Sequence, residues 1–169
     1  IPIAEKNKVP YLGISFALYK IHQQGYKYLF SPFPKSPNQT EDVFKILNEA
    51  IPEGERPTKV AVFAYNDDWG KEWGGLVKER APEYGYEIVV YEENPVGVND
   101  WTAAIQKAKA AGAEMLLTLP IFPDGSGMFK TMAELGWTPK FSLVIRAPEG
   151  VNWGESLGKI GEYVTIFPG

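Results

Sequence analysis

Cysteine is absent from the 169 residues, which removes disulfides, thiolate catalysis and thiolate metal sites together. That absence does not fix the compartment, because exported proteins often do without disulfides. Histidine occurs once, as His22, in the polar run 20–24, and reads as exposed. One imidazole without thiolates argues against a zinc site. No acid motif accompanies it, which argues against a Ser-His-Asp or Cys-His triad. No apolar run is long enough to cross a bilayer. No basic run stands out, and the net charge is -4, so nucleic acid is not expected as a partner. No loop carries the GxGxxG or GxxxxGK[ST] phosphate cradle; Asp124-Gly125-Ser126-Gly127 is glycine-rich but too short to count. Residues 1–4, Ile-Pro-Ile-Ala, show no start methionine, secretory signal or helix-start signal, so the mature N-terminus is expected to be missing.

What is present is a globular composition, with 44% hydrophobic and 22% charged residues. The length suits one domain, or one domain plus part of another. From residue 58 onward, strand and helix signals alternate. Strands are predicted over 58–65, 86–91, 114–119, 141–146 and 163–167. Between them come a helix with Trp69, Trp73, Leu76 and Arg80 on one side, a helix with a Trp101, Ile105 and Ala108 stripe, and a helix over 126–136. The first four strands start roughly 28 residues apart, close to the length of one βαβ unit. Residues 55–169 therefore read as a doubly wound α/β domain with a parallel sheet. The first 50 residues differ. Two short strands, 10–15 and 27–31, flank a polar stretch; a proline-rich run over 31–37 leads into a helix over 38–51. Two strands alone cannot bury both faces, so this part reads as the end of another lobe, with the prolines as a strut.

Open parallel sheets bind ligands beyond the carboxyl ends of their strands. Those ends carry residues 66–70, 94–97, 120–125 and 147–153, which mix aromatic surface with a few acids. Such a rim suits a small molecule with an apolar body and a cationic end.

Four stretches carry a resemblance to a known family: Val9-Pro10-Tyr11-Leu12-Gly13-Ile14-Ser15, Gly25-Tyr26-Lys27-Tyr28-Leu29-Phe30-Ser31, the run KVAVFAYNDDWG over 59–70, and Pro148-Glu149-Gly150-Val151. The chain resembles the branched-chain amino-acid binding proteins of ATP-binding-cassette (ABC) transporters, of the periplasmic binding protein type I fold. The run over 59–70 is the most specific of the four. The resemblance implies a partial chain, about half of a family member. Residues 1–37 would be the end of the first lobe and the hinge crossover; residues 38–169 would be the second lobe up to a return crossover beginning near Val164. It also implies capture of a small hydrophobic amino acid or similar ligand by hinge closure, without chemistry or cofactor. The partner would be an ABC transporter permease, and the location periplasmic or extracellular at the cell envelope. Position by position, Ser15, Phe16 and Ala17 would grip the ligand's carboxylate and ammonium. Trp69 and Phe122, or Ile121 one residue earlier, would supply aromatic or apolar walls. Glu149 would pair with the ammonium. Phe122 lacks the hydroxyl frequent in relatives, and Phe16 is bulkier than usual, so an aromatic acid or an amide also fits.

Each residue has a structural alternative. Trp69 can equally fill a core or staple a helix start; Ser15 can be an ordinary strand-end hydroxyl; Glu149 can be a solvated loop acid. Asp67 and Asp68 read as helix caps. Trp73 and Trp101 read as core, and Trp153 as a secondary pocket candidate. A sensor or receptor ectodomain of the same fold is the alternative function. An enzyme such as a sugar-nucleotide transferase would need a phosphate loop or an acid-base pair, neither of which is found.

Overall fold

Residues 60–65, Val-Ala-Val-Phe-Ala-Tyr, are buried without interruption, the pattern of a central parallel strand covered on both faces. A computed structural model describes residues 1–167. In it this run forms β3 (Lys59–Tyr65), at the middle of a four-stranded sheet with β4 (Glu87–Asn94), β5 (Met115–Thr118) and β6 (Phe141–Val144). The order is β4-β3-β5-β6 and every pairing is parallel. Helix α3 (Ser36–Ala50) and helix α4 (Asp68–Arg80) cover one face; α5 (Thr102–Ala110), α6 (Phe122–Glu134) and α7 (Asn152–Leu157) cover the other. Val60, Val62, Met115, Leu117 and Leu143 point to the first face. Ala61, Phe63, Leu116 and Val144 point to the second. The doubly wound α/β fold read from the sequence is the fold observed.

Strand order places a topological switch point between β3 and β5. From β3 the chain moves outward to β4, then returns across β3 to β5 and continues away. Crevices form where neighbouring connections leave in opposite directions, at the carboxyl ends of the strands.

Several boundaries differ from expectation. The buried face of α4 is Gly70, Trp73, Gly74 and Val77, not Trp69, Trp73, Leu76 and Arg80. The two glycines explain the rotation: a Cβ on Gly70 would sit 2.1 Å from the Tyr65 carbonyl oxygen, and one on Gly74 would sit 3.1 Å from the Ala64 Cβ. The helix therefore turns its bare side to β3. Helix α6 begins at Phe122, earlier than the expected 126, because Pro123 is tolerated in a first turn. The expected strand over 163–167 reduces to a single parallel bridge, Thr165 to Leu143.

Before the main sheet, β1 (Tyr11–Leu12) pairs in parallel with β2 (Leu29–Phe30), shorter than the sequence suggests. Helix α1 (Pro2–Lys6) forms where no helix signal was read, with Pro2 in its first turn. The Glu5 carboxylate ties it to β2 by accepting from the N–H groups of Lys27 and Tyr28. His22, in α2 (Tyr19–His22), is half-buried and not exposed; its Nε2 lies 3.3 Å from the Phe16 carbonyl oxygen. Exposed Leu12, Ile14 and Phe30 leave this small sheet open on its outer side.

Glu72 on α4 joins the two parts. Its two carboxylate oxygens accept from the Tyr19 N–H at 2.7 Å and the Lys20 N–H at 2.9 Å. Replacing Glu72 with alanine is expected to speed amide exchange at Tyr19 and Lys20 by roughly tenfold, the scale of one charge-assisted bond, and to leave β3 protection unchanged. Unchanged exchange at both amides would remove this link.

Candidate functional site

Tyr65 ends β3 at the switch point, and its buried hydroxyl ties that strand to the start of α6. It donates to Asp124 Oδ2 at 2.6 Å and accepts from the Ile121 N–H at 3.0 Å. The same Asp124 oxygen accepts from the Gly97 N–H at 2.8 Å. The end of β3, the connection after β4 and the first turn of α6 thus meet on one carboxylate. Asp124 lies in the first turn of α6, where the helix dipole favours negative charge. Burial, then the Asp124 carboxylate, push the Tyr65 hydroxyl well above the ordinary tyrosine range. It stays a neutral donor at any physiological pH.

Arg146 stands just past β6 and completes the rim. Its guanidinium lies 4.7 Å from the Trp69 ring centroid and 5.4 Å from that of Tyr65, within range for cation–π attraction. Nη2 donates to the Leu119 carbonyl oxygen at 2.7 Å. Its Nε and the Trp69 Nε1 are both buried without a partner. Among the described residues no carboxylate reaches ion-pair distance of this guanidinium. Burial pulls its pKa below the usual arginine range, opposed by Tyr65, Asp67, Glu149 and Asp124; it remains a cation. The backbone at Arg146 has φ 79 and ψ -58, the geometry of a rare and strained γ-turn. Strain of this kind persists only where surrounding structure holds it.

The residues expected from sequence divide between this rim and elsewhere. Trp69 is half-buried on the α3–α4 side, beneath Arg146. Glu149 is exposed, ends the turn Ala147–Glu149, and donates its N–H to the Arg146 carbonyl at 3.0 Å. These two share one edge through Arg146. Phe122 does not join them: it is half-buried against the α5–α6 core on the opposite face, while Ile121 packs on the Trp69 side. Ser15 is exposed. Phe16 rests against Gly13 and tilts 5.9 Å from the Tyr11 ring. Ala17 is buried, and its carbonyl accepts from the Ser36 N–H and hydroxyl. The Glu72 link holds the chain after Ala17 against α4, one turn from Trp69. Asp67 caps α4 by accepting from the Gly70 N–H at 2.7 Å, as the sequence suggested. Trp101 packs on Phe63, also as read. Trp153 is core and not pocket: it is buried against Phe129 and donates to the Gly161 carbonyl.

Tyr65, Asp124 and Arg146 were not among the expected site residues. Tyr65 and Arg146 stand where an apolar strand run ends, and Asp124 in the first turn of the helix after one; those positions were the available signal. A separate groove of about 310 Å³, lined by Phe129, Trp137, Ser142 and Tyr163, lies at the amino end of β6, away from this rim.

An "Amino acid binding protein" of Pseudomonas aeruginosa is 29% identical over 83 residues, 49% of this chain and 22% of that protein. A branched-chain amino acid ABC transporter structure from Thermus thermophilus with bound valine superposes with TM-score 0.81 at 19% identity, over 98% of this chain and 42% of that one. An R. palustris solute-binding protein in complex with 4-hydroxybenzoate gives TM-score 0.72 at 19% identity, over 95% and 42%. The chain thus spans under half the length of these structures. Residues 1–162 match the family model described as periplasmic binding protein, and the chain belongs to that family.

Proposed function

We propose that this chain supplies the second lobe and hinge region of a solute-binding protein that captures a small amphipathic ligand and delivers it to an ABC transporter permease. Residues 1–37 would belong to the first lobe and hinge, residues 38–169 to the second. The observation that carries the reading is the rim at the switch point, where Trp69, Tyr65 and Arg146 stack beside an exposed Glu149. An apolar plate flanked by opposite charges suits an amino acid or an aromatic acid. Relatives described with valine and with 4-hydroxybenzoate support both ligand types. The Ser15–Ala17 loop would close onto this plate from the first lobe, and Ile121 would take the wall position expected of Phe122. Residues of this kind hold and orient a ligand, and the reading assigns capture without turnover. A periplasmic location follows from the family.

The test is a thermal-shift screen of amino acids and aromatic acids on the full-length protein, followed by calorimetry. One ligand with micromolar or tighter affinity is expected. In Glu149→Gln, ammonium-bearing ligands should weaken by about 2 kcal/mol through loss of one charge-assisted contact. Equal affinity in that variant removes Glu149 from the site. Failure of every ligand class in the screen overturns the receptor reading.

A further inference from the structure

We propose that Arg146 is the receptor for a carboxylate on the ligand, so that the second lobe, and not only the Ser15–Ala17 loop, reads the ligand's acidic end. The proposal rests on the solute-capture reading and deepens it by naming a specificity-determining residue and a ligand class. The starting point is a cation without a counter-ion. Asp67 and Asp124 are near enough to favour its charge, yet Asp67 is committed to the Gly70 amide, and Asp124 to Tyr65 and Gly97. Glu149 faces solvent. The guanidinium is therefore a half-buried cation with no ion pair among the described residues.

Geometry adds direction. The guanidinium carbon lies over both the Trp69 and Tyr65 rings, and the bond from Nη2 to the Leu119 carbonyl limits its rotation. A planar fork held in this way meets a carboxylate with two parallel bonds and little further ordering. Arg146 is only half-buried, while its Nε and the Trp69 Nε1 are sealed from solvent; the end left for a ligand acceptor is the Nη1–Nη2 pair. Three carboxylates nearby disfavour a bare anion, so the better-matched ligand also carries an ammonium for Glu149. The chemical class is an apolar or aromatic α-amino acid, its carboxylate on Arg146 and its side chain along Trp69.

The experiment uses the full-length protein and matched probes: L-leucine and L-phenylalanine, each beside its primary amide. Calorimetry on the natural protein should show acids preferred over amides by about 10- to 100-fold, the range of a charge-assisted bond. Arg146→Gln should erase that preference while leaving amide affinity in place; Arg146→Lys should restore part of it. If Arg146→Gln fails to fold, the Arg146 Nε–H nitrogen resonance serves instead. Assigned by its loss in Arg146→Lys, it should move on adding an acid and stay still with an amide. An acid preference that survives Arg146→Gln overturns the proposal. So does an equal loss for acids and amides, which would mean that Arg146 merely props Trp69. If no probe binds the natural protein, the capture reading falls, a result separable from either of these.

Discussion

Gly70→Ala is expected to cost about 3 kcal/mol or more and to abolish ligand binding with it. A Cβ at this position would lie 2.1 Å from the Tyr65 carbonyl oxygen and 2.7 Å from its carbonyl carbon. Those atoms are main chain, in the middle of the sheet, and no rotamer change can relieve the overlap. The first turn of α4 has to lift, an overpacking penalty at the upper end of its range. Alanine's better helix propensity returns only about 1 kcal/mol. The lift also moves the Asp67 cap and the Trp69 plate beneath Arg146, so fold and rim fail together. Gly75 on the same helix is the internal control. It is exposed, and nothing lies within 4 Å of its Cβ position. Gly75→Ala should therefore raise stability by about 0.5–1 kcal/mol. Urea denaturation of both variants decides the matter. Equal stability of the two would mean that α4 does not touch β3 as described.

Asp124→Ala is expected to lower stability by about 2–4 kcal/mol, because two donors lose their acceptor at once. The Tyr65 hydroxyl is buried and the Gly97 amide partly so. Tyr65→Phe should cost less, leaving the Ile121 amide unpaired but keeping the Asp124–Gly97 bond. In the double variant the loss should fall short of the sum of the single losses, since both partners of the Tyr65–Asp124 bond are then gone. A urea-denaturation cycle measures this coupling, and strict additivity would show that the two groups act independently.

Much of the fold could be read from residue order. The parallel sheet follows from apolar runs such as 60–65, 115–118 and 141–144 separated by amphipathic stretches, because a strand buried on both faces needs no alternation. The stripe of α5 was legible because Trp101, Ile105 and Ala108 have the right spacing and no glycine competes. On α4 the same spacing rule misled. Hydrophobicity marks which side chains prefer burial, whereas Gly70 and Gly74 mark where the backbone comes closest. The start of α6 was hidden by Pro123, which resembles a breaker and acts as a first-turn residue.

The candidate site was legible by location more than by identity. Trp69 and Glu149 were named from the loops they occupy, and both stand beside Arg146. Phe122 lies apart from them because residues around the start of α6 project to alternate faces; a one-residue difference sends Phe122 to one core and Ile121 to the other. Arg146 escaped notice because a charged residue closing a strand resembles an exposed end. Its value comes from two rings contributed by residues 77 and 81 positions earlier, a juxtaposition no local pattern encodes.

The connection from β4 to α5 touches the polar rim through a single main-chain amide, that of Gly97. Any residue but proline offers such an amide, although the φ of 87 at this position keeps glycine favoured. Its neighbours over 95–100 are largely open to solvent. This stretch can accordingly drift in length and side-chain chemistry between descendants while the charges opposite stay fixed. On the proposed capture role, divergence in what the rim admits would accumulate here first, and a library meant to retune selectivity without unsettling the sheet has its natural starting place in these residues.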